Sequence, residues 1–179
     1  AGHQALAAGF PLGKRFRSAE VVRLCDGNVE HLGHHARADG RWRIYAFADA
    51  PAAGAASALT DWAQWLQSAP DSPVVRYTPD GADADVVFDV KVVYQQRFDE
   101  TDIAKVPPLF FPKIGPFQLT DWEKVYNAGP GSDICEEREI SRDGVVVVVR
   151  PDQYVSAIMP LAATDELAAF FAQNMLDAR

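Results

Sequence analysis

"WRIYAFADAPAAGAASALTDW" is the sequence of residues 42–62, and it contains the patterns of a strand, a turn and a helix in succession. Apolar and aromatic side chains fall on both faces of residues 41–47, which predicts a central strand covered on both sides. The apolar residues that follow recur at helical spacing and predict a helix over residues 55–67. A strand that turns into a helix is a common place for chemistry in α/β proteins. Yet this turn, residues 49–54, contains no Cys, Ser or His.

Length and composition set the class of protein. The 179 residues are 48% apolar, enough for the core of a single domain. A net charge of -8 and a pI near 4.9 argue against nucleic acid or an anionic membrane as a partner. The apolar runs are too short to span a membrane. Two cysteines without a C-x-x-C pair favour a reducing compartment, so we expect a cytoplasmic protein.

The remaining elements are predicted from alternation, turn residues and caps. Strands are expected at residues 20–24, 74–78, 85–95, 145–149 and 154–159, the last two joined by a turn at 150–153. A short helix capped by Thr120 is expected within "LTDWEKVYN", residues 119–127, and a C-terminal helix is expected to begin with Thr164 as its N-cap.

The order of these elements gives the fold class. A βαβ unit first and a β-hairpin with a helix last describe a mixed sheet flanked by helices, the thioredoxin-like arrangement of the α/β class. On this map the turn at 49–54 lies where a thioredoxin carries its redox C-x-x-C, and the pair is lacking. We expect residues 1–20 to be an arm or linker that leads into this chain, and residues 21–179 to be the thioredoxin-like domain.

Four segments carry a family resemblance along essentially the whole chain. They are "FPLGKRFRSAEVVRL" (10–24), "DGRWRIYAFAD" (39–49), "DGVVVVVRPDQYVSAIMPL" (143–161) and "LAAFF" (167–171). Together they resemble the C-terminal thioredoxin-like domain of the FAD-dependent aromatic hydroxylases of the phenol 2-monooxygenase and 3-hydroxybenzoate 4-monooxygenase type. The resemblance implies a non-catalytic domain that docks on the FAD and substrate domains of its own parent chain and supports a homodimer. It also implies that the arm or linker at residues 1–20 comes from an N-terminal catalytic region that precedes this chain. FAD and NADPH would then belong to the parent enzyme, with no cofactor in this fragment.

Chemistry within the chain has weaker support. The alternative function is a stand-alone thioredoxin-fold redox protein that uses Cys25 or Cys135, although neighbouring carboxylates would raise the pKa of either thiol. A metal site at His31, His34 and His35 lacks a second ligand cluster, so a solvated loop is the favoured interpretation. The sequence therefore assigns no catalytic, cofactor-binding or metal-binding residue.

Aromatic residues are the remaining signal. The proline-rich segment 96–118 is predicted to be a loop that packs on the domain, and segment 129–137 has no assigned role. Six aromatic side chains are divided between an internal core and a contact surface for another domain or subunit. These are Trp62, Trp65, Phe110, Phe111, Phe117 and Trp122.

Overall fold

Nine strands and four α-helices are formed by the residues that the computed structural model describes, 2–51 and 55–176. The strands are β1 (Glu20–Arg23), β2 (Val29–His31), β3 (Trp42–Phe47), β4 (Phe88–Tyr94), β5 (Lys113–Ile114), β6 (Leu119–Thr120), β7 (Val125–Ala128), β8 (Val145–Val149) and β9 (Val155–Pro160). The helices are α1 (Ala58–Ser68), α2 (Pro73–Tyr77), α3 (Ile134–Glu137) and α4 (Thr164–Asn174). None of the helices among these residues is long and apolar enough to cross a membrane.

Seven strands form one mixed sheet in the order β2-β1-β7-β4-β3-β8-β9, while β5 and β6 form a separate hairpin. The pairs β3/β4 and β4/β7 are parallel, and the other pairs of the large sheet are antiparallel. The mixed sheet with flanking helices confirms the predicted fold class. The five valines of β8 are buried because this strand lies inside the sheet with both faces covered.

One face of the sheet packs against α1, α2 and α4. Trp62 and Leu66 of α1 and Phe171 of α4 are buried there, and Phe171 meets Phe88 of β4 edge to face at a 5.0 Å centroid distance. The aliphatic and aromatic stripe of α1 thus faces the core, as its spacing predicts. Ser57 caps α1 by accepting a hydrogen bond from the Thr60 amide.

The opposite face is covered in part by the N-terminal segment. Phe10 is fully buried and stacks on Phe16, which stacks on Tyr45 of β3, with centroid distances of 4.7 and 4.6 Å. Gly9 lies so close to Arg138 that a Cβ atom there would come 2.5 Å from the Arg138 Cα. Residues of the predicted arm therefore form part of the core of this face. That this arm continues into a catalytic region stays a prediction.

Two predicted elements are wrong. Of the strand predicted at residues 74–78, residues 74–77 belong to α2, because Ser72 caps the segment and Pro73 at its first turn favours helical geometry. The helix expected in residues 119–127 is replaced by β6 and β7, since Thr120 pairs with Lys113 instead of capping a helix. The local capping pattern was overridden by strand pairing.

Other differences concern element ends. Helix α1 begins at Ala58, three residues after the predicted start. The predicted N-cap of α4 is wrong by one residue: the N-cap is Ala163, which makes no capping side-chain hydrogen bond, and Thr164 is the first helical residue. The short elements β2 and α3 were not predicted, because three- and four-residue segments carry too little periodicity.

Candidate functional site

The end of β3, where thioredoxin-like enzymes place reactive thiols, contains a carboxylate. Asp49 accepts hydrogen bonds from the Ser57 hydroxyl (2.9 Å) and from the backbone amides of Ala58 (2.7 Å) and Leu59 (3.1 Å). These amides would otherwise lack a partner at the N-terminus of α1, where the helix dipole favours an anion. The carboxylate is thus a second cap for the helix. Residues 52–54 of the predicted turn lie outside the described residues.

The two cysteines are free and lie on different elements. Cys135 is buried in α3, and burial, reinforced by Asp133, raises the pKa of its thiol to about 11. Cys25 is exposed beyond β1, where partial burial and the neighbouring Asp26 also raise the pKa of the thiol. Because the thiolate is the reactive form, the raised pKa values make both thiols less reactive than an unperturbed cysteine.

The three histidines of the candidate metal site lie on the edge strand β2 and in the turn after it. The His31 and His34 rings stack with a centroid distance of 5.0 Å. His34 Nε2 is 3.1 Å from the Ser18 hydroxyl, and His35 Nε2 is 2.7 Å from a carboxylate oxygen of Glu30. Across residues 2–51 and 55–176, no group of three or more His, Cys, Asp or Glu side chains is arranged to hold a metal ion.

A buried ion-pair cluster lies on the same sheet face as the N-terminal segment, in the part that this segment does not cover. Lys124 Nζ is 2.7 Å from Asp89 and 3.1 Å from Asp85, and Lys91 Nζ is 3.4 Å from Asp89. Burial raises the pKa of Asp89, but the ammonium groups of Lys91 and Lys124 lower it more, to about 2. Arg43 completes the cluster with its Nε 3.7 Å from Asp89. Each buried charge therefore has an opposite charge beside it, as a stable interior requires.

The six aromatic residues from the sequence divide into two groups. Trp62 and Phe110 are fully buried, and Trp65 and Phe111 pack against the same core. Phe117 and Trp122 are exposed, by 84% and 49%. The surface candidates are therefore only the two that flank β6.

The β5–β6 hairpin, defined as residues 113–120, holds Phe117 away from the rest of the domain. Its turn contains Gly115 and Gln118 at positive φ angles of 72° and 50°. Asp83 fixes this turn by accepting a 2.8 Å hydrogen bond from the Gly115 amide, and Trp122 at its base packs on Phe111 with ring centroids 5.0 Å apart. The hairpin thus presents an aromatic side chain on a backbone anchored at its tip and its base.

A groove of about 1030 Å³ lies between the β5–β6 hairpin and the buried ion-pair cluster. Phe117, Leu119 and Trp122 provide apolar walls. The other lining side chains are mostly charged, with five cations and five carboxylates among the described residues. These are Arg23, Arg37, Arg41, Lys91 and Lys124, and Asp83, Asp85, Asp89, Asp121 and Glu123.

Sequence reasoning missed several of these roles. The turn predicted at 49–54 does not reveal that Asp49 caps α1, and the sequence assigns no role to Asp83 or Asp85. The alternation in β4 could have shown that Asp89 and Lys91 share a face with Val93. No local signal reveals that Asp83 binds the amide of Gly115, since 32 residues separate them.

Comparison with known protein families identifies the family of this chain. The profile of the family described as "Phenol hydroxylase, C-terminal dimerisation domain" matches residues 1–179. The chain belongs to this family. This match confirms the resemblance that the sequence motifs of the dimerisation domain indicate.

Two curated relatives are longer proteins that are named as monooxygenases. The dimerisation domain is 43% identical over 180 residues to 3-hydroxybenzoate 4-monooxygenase from Comamonas testosteroni, covering 98% of this chain and 28% of that protein. It is 31% identical over 176 residues to FAD-dependent monooxygenase terD from Aspergillus terreus, covering 94% of this chain and 28% of that protein. The chain thus spans little more than a quarter of the length of these relatives.

Solved structures support the fold. The thioredoxin domain of a thiol-disulfide oxidoreductase from Bacteroides vulgatus superimposes with a TM-score of 0.59 at 12% identity, covering 93% of this chain and 99% of that one. The dimerisation domain is accordingly thioredoxin-like. An independent redox role for Cys25 or Cys135 gains no support, because the family is one of dimerisation domains and both thiols have raised pKa values.

Proposed function

We propose that this chain is the non-catalytic C-terminal domain of a flavin-dependent aromatic-ring monooxygenase, in which it docks on the catalytic domains and holds two subunits together. The observation that carries the proposal is the family match across residues 1–179. The 43% identity to 3-hydroxybenzoate 4-monooxygenase supports a phenolic substrate for the parent enzyme. The parent would use FAD and NADPH, both bound outside this chain, and act in the cytoplasm as a homodimer.

The site at the end of β3 supports a non-catalytic role. The amides at the start of α1 already have the Asp49 carboxylate as a partner, so this helix end offers little to a substrate or cofactor. The "GPGSD" loop at 129–133 is equally unsuited to a phosphate, because the Glu20 carboxylate lies beside Gly129. Such a domain contributes surface and stability, while chemistry proceeds elsewhere in the parent.

The proposal is tested on the full-length protein that carries this domain. Sedimentation equilibrium of the full-length protein should give the mass of a dimer, and removal of this domain should give a monomer that still binds FAD. The 179-residue chain itself should purify without flavin absorbance and should not oxidise NADPH. A flavin-containing or NADPH-oxidising preparation of this chain would refute the non-catalytic role, and a full-length monomer would refute the dimeric one.

A further inference from the structure

We propose that the tip of the β5–β6 hairpin of one copy inserts Phe117 into the groove of a second copy, and that the second copy does the same in return. This inference rests on the proposed function, because it names the surface through which the domain dimerises. The partner is a second copy of this chain.

The first argument is the clustering of exposed apolar area. Phe117, Leu119 and Trp122 are exposed by 84%, 67% and 49% and lie within six residues of one another. The other exposed large apolar side chains of the described residues are distributed over separate elements. Single exposed apolar residues are ordinary on protein surfaces, whereas a contiguous patch indicates an interaction site.

The second argument is preorganisation. Gln118 adopts a left-handed backbone conformation, with a φ of 50°, that is unfavourable for a residue other than glycine. The turn keeps this conformation because the Gln118 amide and side chain both donate to the Gly115 carbonyl, at 3.0 and 2.9 Å. Asp83 fixes the Gly115 amide in turn. A turn whose backbone is already held in one conformation loses little backbone entropy when the aromatic residue that it carries binds.

The third argument is shape. A two-fold dimer uses the same patch on both subunits, so the patch must be complementary to itself. Here a projecting side chain, Phe117, stands directly beside an open groove of about 1030 Å³ with apolar walls at Leu119 and Trp122. A protrusion next to a depression meets this requirement, because each copy can fill the depression of the other.

The fourth argument is charge. The whole chain carries a net charge of -8, so two copies repel one another over most of their surface. The five cations and five carboxylates that line the groove sum to zero. The groove therefore adds no net repulsion between two identical acidic chains, and many of its charges are already paired within each chain.

The test compares Phe117→Ser with Leu176→Ser in the full-length protein. Leu176 is 92% exposed and does not line the groove, so it is a matched apolar control. We expect Phe117→Ser to raise the dimer dissociation constant at least about 30-fold, as for truncation of a central aromatic anchor. Leu176→Ser should change it less than about 2-fold by the same measure. Thermal unfolding should show both variants folded, since both side chains are largely exposed.

A mixing experiment tests reciprocal insertion. Ala36 lines the groove, so Ala36→Trp should block the groove while leaving the hairpin intact. Each variant alone should be largely monomeric at concentrations where the unmodified protein is a dimer. An equimolar mixture of Phe117→Ser and Ala36→Trp should recover heterodimers, because one intact hairpin meets one open groove. If Ala36→Trp does not fold, the dimer dissociation constant of Phe117→Ser alone decides whether Phe117 lies in the dimer interface.

The outcomes separate this inference from the proposed function. A full-length protein that is a monomer at all concentrations overturns both. A dimer whose dissociation constant is unchanged by Phe117→Ser overturns the inference and leaves the dimeric function in place. An unchanged dissociation constant with a lower unfolding temperature of the full-length protein likewise overturns it, and assigns the hairpin to the catalytic domains of its own chain.

Discussion

Replacement of Asp49 by alanine should weaken the domain at the start of α1. The substitution removes an acceptor for the Ser57 hydroxyl and for the amides of Ala58 and Leu59. Loss of an N-terminal capping side chain costs about 0.5–2 kcal/mol, and hydrogen bonds to a charged group are each worth about 1.5–3 kcal/mol. Water can replace part of this loss at a half-buried position, so we expect destabilisation of about 2–3 kcal/mol.

The assay is equilibrium unfolding of the 179-residue chain in urea, followed by circular dichroism. In thermal unfolding the same change should lower the midpoint by about 4–12 °C, given about 2–4 °C per kcal/mol for a chain of this size. Asp49→Asn keeps one acceptor oxygen but loses the charge, and should cost about 1 kcal/mol.

Asp61→Ala is the matched control. Asp61 also lies in the first turn of α1 and contributes a negative charge there, but it is exposed. Its removal should cost no more than about 0.5 kcal/mol. If Asp49→Ala destabilises the chain no more than Asp61→Ala does, the Asp49 carboxylate does not stabilise the start of α1, and its role as a cap is refuted.

Three further predictions concern packing, acid and thiols. Gly9→Ala should destabilise the chain by about 1–3 kcal/mol in urea, because the added Cβ meets the Arg138 backbone, whereas Gly2→Ala, in open space and without a positive φ, should be neutral. The folded-state pKa of Asp89 is about 2 against 3.8 for the free side chain, so its stabilisation is present above pH 4 and lost between pH 4 and 2. Asp89→Asn should therefore flatten the pH dependence of stability in this window by about 2 kcal/mol. A thiol reagent at neutral pH should modify Cys25 in the native chain and reach Cys135 only after denaturation, and equal rates would contradict the burial of Cys135.

The central strands and the terminal hairpin could be predicted from sequence because their signals are local. Five successive valines and the turn at 150–153 allow little besides a strand pair, and β8 and β9 are formed as expected. The alternation of residues 41–47 likewise predicted a strand covered on both faces, which β3 is. Such patterns need no knowledge of distant partners.

The errors arose where a distant partner decides the conformation. Thr120 followed by Glu123 has the spacing of a capping box, but Thr120 pairs with Lys113 in the β5–β6 hairpin. The exposure of Phe117 depends on that hairpin, and the hairpin depends on the hydrogen bond from Gly115 to Asp83. The segment 96–118 could therefore be predicted to pack on the domain, but not to end in an exposed aromatic tip.

The turn after β3, which contains no cysteine, indicates where the function of the domain can lie. A helix N-terminus needs an anion or acceptor whether or not it performs chemistry, and Asp49 meets that need from within the chain. Asp49 follows the carboxyl end of β3, whereas the groove reaches the ion pairs near the start of β4, a strand parallel to β3. The two features thus lie at opposite ends of the same strands. Binding at the groove can therefore evolve without disturbing the capped helix that stabilises the domain.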